Sequence, residues 1–154
     1  MAFKIKKAYL LGLGNWLNDL SLTGAASRAR TRFVEQLQAQ LQIIDKDRVA
    51  ILESHADKNE DGTAKKEAGD NGEHYVLSEE ASKAVAKEYS ELLMEEYLLD
   101  ITDANRLQME SLRTIVLESD YRFGPREGDS PEVAQIRIRQ MNDYPAWCDA
   151  FEAI

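Results

Sequence analysis

The chain has 154 residues, of which 44% are hydrophobic and 31% charged, a length and balance that fit one folded domain and exclude wholesale disorder. Its net charge of −9 is uneven: residues 1–50 hold 8 basic and 4 acidic side chains, and the remainder holds 11 and 24. The acidic majority argues against generic binding to nucleic acid phosphates, no apolar run approaches the ~20 residues of a membrane-spanning helix, and the single cysteine, Cys148, excludes an internal disulfide or a cysteine metal cluster.

The opening Met1–Leu13 places Lys4, Lys6 and Lys7 before a short apolar stretch. That weakly imitates a secretory leader, but the stretch stops at Asn15 without a convincing cleavage site, and the expectation is the mature start of a cytosolic protein. Phe3 and Ile5 alternate with Lys4 and Lys6, the pattern of a short edge strand. Leu10, Leu13, Leu17 and Leu20 then recur at helical spacing beside Trp16, and Asn18–Ser21 closes that helix.

From about Ala25 to Ala56 the positions Ala26, Phe33, Leu37, Leu41, Ile44, Ile51 and Leu52 follow a rhythm of three and four. One helix of roughly 45 Å follows from ~1.5 Å per residue, and a helix that long needs a partner along its seam. Residues 57–78 are turn chemistry, with extended pieces around Thr63–Lys66 and Glu73–Leu77. Ser78 before Glu79 and Glu80 is an N-cap, and the helix it opens carries Ala81, Val85, Tyr89, Leu92, Leu93 and Tyr97 on one side.

Residues 98–102 are a second strand candidate, placed to pair with residues 3–7. Asp103 is expected to cap a helix with Leu107, Leu112, Ile115 and Val116, and Tyr121–Asp129 to form a loop. Ser130-Pro131-Glu132 opens the last helix, with Val133, Ile136, Met141 and Tyr144 facing inward, Pro145 breaking it, and Trp147 and Phe151 docking the tail. The fold expected is mainly α: one domain over residues 1–154, a helical core, a long antiparallel helix–turn–helix arm over residues 25–97 with its tip at 57–78, and a short two-stranded ribbon.

No complete catalytic constellation is present. Asp57-x-Asn59-x-Asp61-Gly62 opens like a calcium loop, yet Lys65 stands at its ninth position and Ala68 at its twelfth, where a bidentate Glu is required; a solvated turn is the plainer reading. His55 and His74 can approach across the arm, but two histidines in an exposed region make a poor zinc site, and no metal or cofactor is expected. Cys148, between Trp147 and Phe151, reads as a buried structural thiol. No nucleophile elbow or Gly-Lys-Ser/Thr phosphate loop exists.

Two charged groups remain as binding candidates. Arg28, Arg30 and Arg32 crowd the start of a helix, where the dipole disfavours cations, so an anion is expected beside them: an Asp or Glu of the chain itself, a protein partner, or nucleic acid. Glu88, Glu91 and Glu95 form an acidic stripe that is either a solvated face or an imitation of nucleic-acid phosphates able to block a nuclease.

The segment Leu17–Val34, LNDLSLTGAASRARTRFV, followed after a turn-rich insert by Leu92–Tyr97, LLMEEY, resembles a family of small uncharacterised proteins encoded by phages and prophages of Gram-positive bacteria. The likeness covers residues 3–120, while the last 30 residues fit the pattern less well. It implies a context, the host bacterial cytoplasm or a virion, and no chemistry. The role expected is non-enzymatic: a phage accessory or assembly factor acting by protein–protein contact through the arm and the arginines, with self-association plausible from its exposed helices. The alternatives are an acidic inhibitor of a host defence nuclease and a nucleic-acid binder using residues 28–32.

Overall fold

The computed structural model describes all 154 residues. The elements in chain order are β1 (Ala2–Lys6), a 3-10 turn (Lys7–Tyr9), α1 (Leu10–Asp19), α2 (Gly24–His55), β2 (Lys66–Gly69), β3 (Gly72–Tyr75), α3 (Glu79–Met94), β4 (Glu96–Asp100), α4 (Arg106–Leu117) and α5 (Pro131–Glu152). The fold is mainly α, as the hydrophobic periodicity predicts. It divides into two compact units, residues 1–39 with 96–154 and residues 40–95. The single arm expected over 25–97 is therefore corrected: the first half of α2 belongs to the core, because Ala29, Phe33, Val34 and Leu37 are buried there.

In the first unit β1 and β4 pair antiparallel, Phe3 opposite Leu99 and Ile5 opposite Tyr97. The ribbon expected from the alternation exists, shifted by one or two residues. Phe3 and Ile5 are buried and Lys4 and Lys6 exposed, as a period of two dictates for a sheet with one wet face. Phe3 meets Phe33 edge-on at 5.5 Å and Phe151 at 4.8 Å, so strand, long helix and C-terminal helix share one apolar centre. A second cluster surrounds Trp16, which stacks on Trp147 at 5.3 Å and Phe123 at 5.8 Å and meets Tyr144 at 5.6 Å. Tyr144 donates to the Val116 carbonyl at 2.6 Å and so ties α5 to α4.

Three expectations about the C-terminal half are corrected. Pro145 does not end α5, which continues to Glu152; the buried Trp147, Ala150 and Phe151 beyond it hold the helical path. Val133, Ile136 and Met141 are exposed and not inward, Ile136 by 54%. The inward stripe is Gln140, Tyr144, Trp147 and Phe151, a spacing of three and four that leaves Ile136 and Met141 on its flanks. In α4, likewise, Met109, Leu112 and Val116 are buried while Leu107 is 80% exposed, out of phase with them. Asp103 does not cap α4; Asn105 precedes it without a side-chain cap, and its amide carbonyl accepts from Thr102 N–H at 2.8 Å.

The second unit contains the C-terminal half of α2, the hairpin and α3. Ser78 accepts the Ala81 N–H at 3.1 Å, the N-cap foreseen. β2 and β3 pair around Asp70 and Asn71, three residues later than the first extended piece expected, with Gly72 at φ 99° supplying the turn. Asp57 and Lys65 join this hairpin through backbone bonds with Val76. Tyr97, expected on α3, lies instead in β4, because the chain turns extended at Glu95 (φ −65°, ψ 150°) and pairs with β1.

Candidate functional site

The arginine segment is set by a glycine. Gly24 opens α2 at φ 59°, a conformation that costs a residue with a Cβ roughly 1–2 kcal/mol. From there Ala29, Phe33 and Val34 turn inward, which fixes where the interleaved arginines point. Arg30 Nη1 donates to the carbonyls of Leu20 at 2.8 Å and Leu17 at 3.3 Å, and Nη2 to Ser27 Oγ at 3.4 Å. Those carbonyls lie at the C-terminal end of α1, where the dipole favours a cation; the Leu17 carbonyl also accepts the Leu20 N–H at 3.4 Å. Arg30 is thus a capping side chain between two helices, which corrects its place in the recognition set, and carbonyls stand where a carboxylate was expected.

Arg28 and Arg32 have another fate. They are exposed, one helical turn apart on the same face, and neither meets an Asp or Glu of the chain. Elsewhere Arg48 pairs with Asp45 at 2.8 Å and Arg137 with Asp129 at 2.9 Å. Both lie past the first turn of α2, which begins at Gly24, so it is their exposed, unpaired forks on one face that leave room for an anion from outside.

The acidic stripe is partly spent. Glu88 Oε1 lies 2.7 Å from His55 Nε2, and Glu91 lies 4.0 Å from Lys87. The first contact joins α3 to the end of α2 within the second unit and is the role the structure gives His55. His74 is in β3. At the 57–62 turn Asp61 Oδ1 accepts from Thr63 Oγ1 at 2.6 Å and Thr63 N–H at 3.0 Å. These bonds hold the Asp61 carboxyl below its ordinary pKa and turn its oxygen into the loop. No three His, Cys, Asp or Glu side chains converge as a metal set.

Cys148 is half-buried, less enclosed than its apolar neighbours imply. Its companion is Tyr144, whose pKa is pushed up to about 12 by burial and by the thiol one turn away. The hydroxyl is already engaged as a donor to the Val116 carbonyl. A cleft of about 490 Å³ in the first unit runs between Asp19–Leu22 and Thr114–Tyr121. A second, about 290 Å³, is lined by Met1, Ile101, Met109, Arg113 and Ile154. No helix is long and apolar enough to cross a membrane.

No protein-family model matches the chain, and no curated protein or solved structure matches it either. The functional argument therefore rests on the residues themselves. The sequence marks the arginine cluster. It carries no sign of which guanidinium turns inward, since that depends on where α1 ends in space.

Proposed function

We propose that this chain is a non-enzymatic accessory protein of a phage or prophage. It acts in the host bacterial cytoplasm, in virion or tail assembly, by docking an acidic protein surface on Arg28 and Arg32. The observation that carries the reading is that both guanidinium groups are exposed on one face of the N-terminal part of α2 with no carboxylate of the chain beside them. Guanidinium forks one turn apart suit carboxylates presented at similar spacing on a partner helix. The phage context is supported by the likeness of Leu17–Val34 and Leu92–Tyr97 to small phage proteins.

The test is cross-linking and affinity capture in an infected host, comparing the native chain with the double variant Arg28→Glu, Arg32→Glu. Capture of one virion protein, weakened at least tenfold by the double variant and by raised salt, is the expected result. Equal capture by both forms overturns the assignment of the arginines. A nuclease as the captured protein would replace assembly with inhibition, and a salt-sensitive gel shift with DNA lost in the same variant would replace both with nucleic-acid binding.

A further inference from the structure

The two-stranded sheet leaves one edge open in an unusual state. The Ile101 N–H donates to the Met1 carbonyl at 2.9 Å. With the register Ala2 to Asp100 through Lys6 to Glu96, this bond fixes the parity of the ladder: the odd residues Tyr97, Leu99 and Ile101 face β1. In an antiparallel pair the backbone groups of the intervening residues point the other way. The N–H groups of Glu96, Leu98 and Asp100, and the carbonyls of Glu96 and Leu98, therefore lie along the free edge of β4, and no third strand joins the sheet. The Asp100 carbonyl is taken by Asn105 Nδ2 at 2.9 Å, which closes that end of the edge.

The side chains on this edge are also unguarded. Edge strands ordinarily blunt their open side with a central lysine, a proline or a bulge. Lys4 and Lys6 do this on β1, whereas the middle of β4 presents Leu98, 56% exposed, between exposed Glu96 and Asp100. We propose that the free edge of β4 is a docking strand for an extended basic segment of a partner protein, cation–x–apolar–x–cation in pattern. Such a segment extends the sheet by backbone bonds to residues 96, 98 and 100. Partner residues opposite those three project on the same face, so an apolar side chain meets Leu98 and a cation meets each acid. A second copy of this chain fits badly: antiparallel pairing centred on Leu98 sets Glu96 of one copy against Asp100 of the other, twice, and like charges directly opposite destabilise a ladder. This surface is independent of the Arg28–Arg32 reading; on β1 Lys6 stands opposite Glu96 and Lys4 opposite Leu98, so Asp100, opposite Ala2, is the acid of the edge with no cation across the ladder.

The test is titration of the isotopically labelled full chain with the peptide Ac-Thr-Lys-Thr-Ile-Thr-Lys-Thr-NH2, followed by amide NMR and hydrogen exchange. Shifts and slowed exchange at Glu96, Leu98 and Asp100 are expected, with no such change when both peptide lysines are replaced by Glu. The variant Leu98→Lys should weaken binding at least tenfold, and because Leu98 is exposed its circular dichroism should match the native spectrum. A peptide N-methylated at alternate residues leaves the protein untouched and should fail to bind, since it removes the ladder donors. Binding that survives N-methylation, maps to other amides or is absent at millimolar peptide overturns the proposal. Protection of the same three amides by self-association without peptide overturns the choice of occupant.

Discussion

Arg30 shows how one guanidinium does structural work inside a cluster that reads as a binding patch. Its bond to the Leu20 carbonyl at 2.8 Å occupies an acceptor just past α1, and its longer bond at 3.3 Å adds to the Leu17 carbonyl, which already accepts the Leu20 N–H. Removing a charged partner from part-buried acceptors costs more than removing a solvated arginine. Arg30→Ala is therefore expected to lower stability by about 1.5–3 kcal/mol, and Arg28→Ala to stay within about 0.5 kcal/mol, both by urea denaturation. Equal effects would remove the distinction drawn between them. Asp143 tests the opposite balance. Burial raises its pKa above the ordinary aspartate value, and Arg139, 3.9 Å away, only partly offsets this. A raised carboxyl pKa means that the folded state binds the proton more tightly. The strain is absent at pH below the unfolded value, grows as pH rises through the folded value, and is complete above it. Asp143→Asn should thus raise the melting temperature at pH 7 and lose that advantage near pH 3. A gain equal at both pH values would assign the effect to something other than charge.

At the scale of elements, Pro145 is the informative case. A proline inside a helix removes the bond to the residue four before it, here Met141, and crowds that carbonyl. α5 nonetheless runs on to Glu152, since the docking of Trp147 and Phe151 into the core outweighs the loss. Pro145→Ala restores the donor in a backbone already helical. It should stabilise the chain by about 1–3 kcal/mol, less the entropy returned to the unfolded state, with stronger exchange protection at residue 145. Destabilisation instead would mean that the proline ring itself packs. The same helix marks where the sequence is legible. Ser130 and Pro131 announce its start because capping is local chemistry, and Ser78 announces α3 for the same reason. The inward face of α5 is not legible, because Val133, Ile136 and Met141 are apolar yet lie outside the stripe that Gln140, Tyr144, Trp147 and Phe151 bury. The strand pair was readable as one short alternating run and a second short strand candidate, but its register and open edge depend on a contact between residues about a hundred positions apart. Of the candidate site, the arginine cluster was visible and the inward turn of Arg30 was not.

For the whole molecule, the distribution of buried side chains predicts how it comes apart. Every fully buried large side chain, from Phe3 and Trp16 to Trp147 and Phe151, belongs to the unit of residues 1–39 and 96–154. The unit of residues 40–95 buries only Ile44, Ala56 and Leu92 among its hydrophobic residues. It also carries 14 acidic against 7 basic side chains, a net −7. Burial supplies the main favourable term at about 25 cal/mol per Å², and uncompensated like charge opposes compaction. Native-state hydrogen exchange should then show amides of residues 40–95 opening at lower free energy than those of α1, α4 and α5, in a step separate from global unfolding. Because screening weakens repulsion among exposed carboxylates and leaves apolar burial nearly untouched, raising salt from 20 to 300 mM should slow exchange in residues 40–95 more than in the other unit. One shared opening free energy across all 154 residues would show that the two units unfold together. The thin core of the second unit would then be supported through the continuous backbone of α2, the one element that both units share.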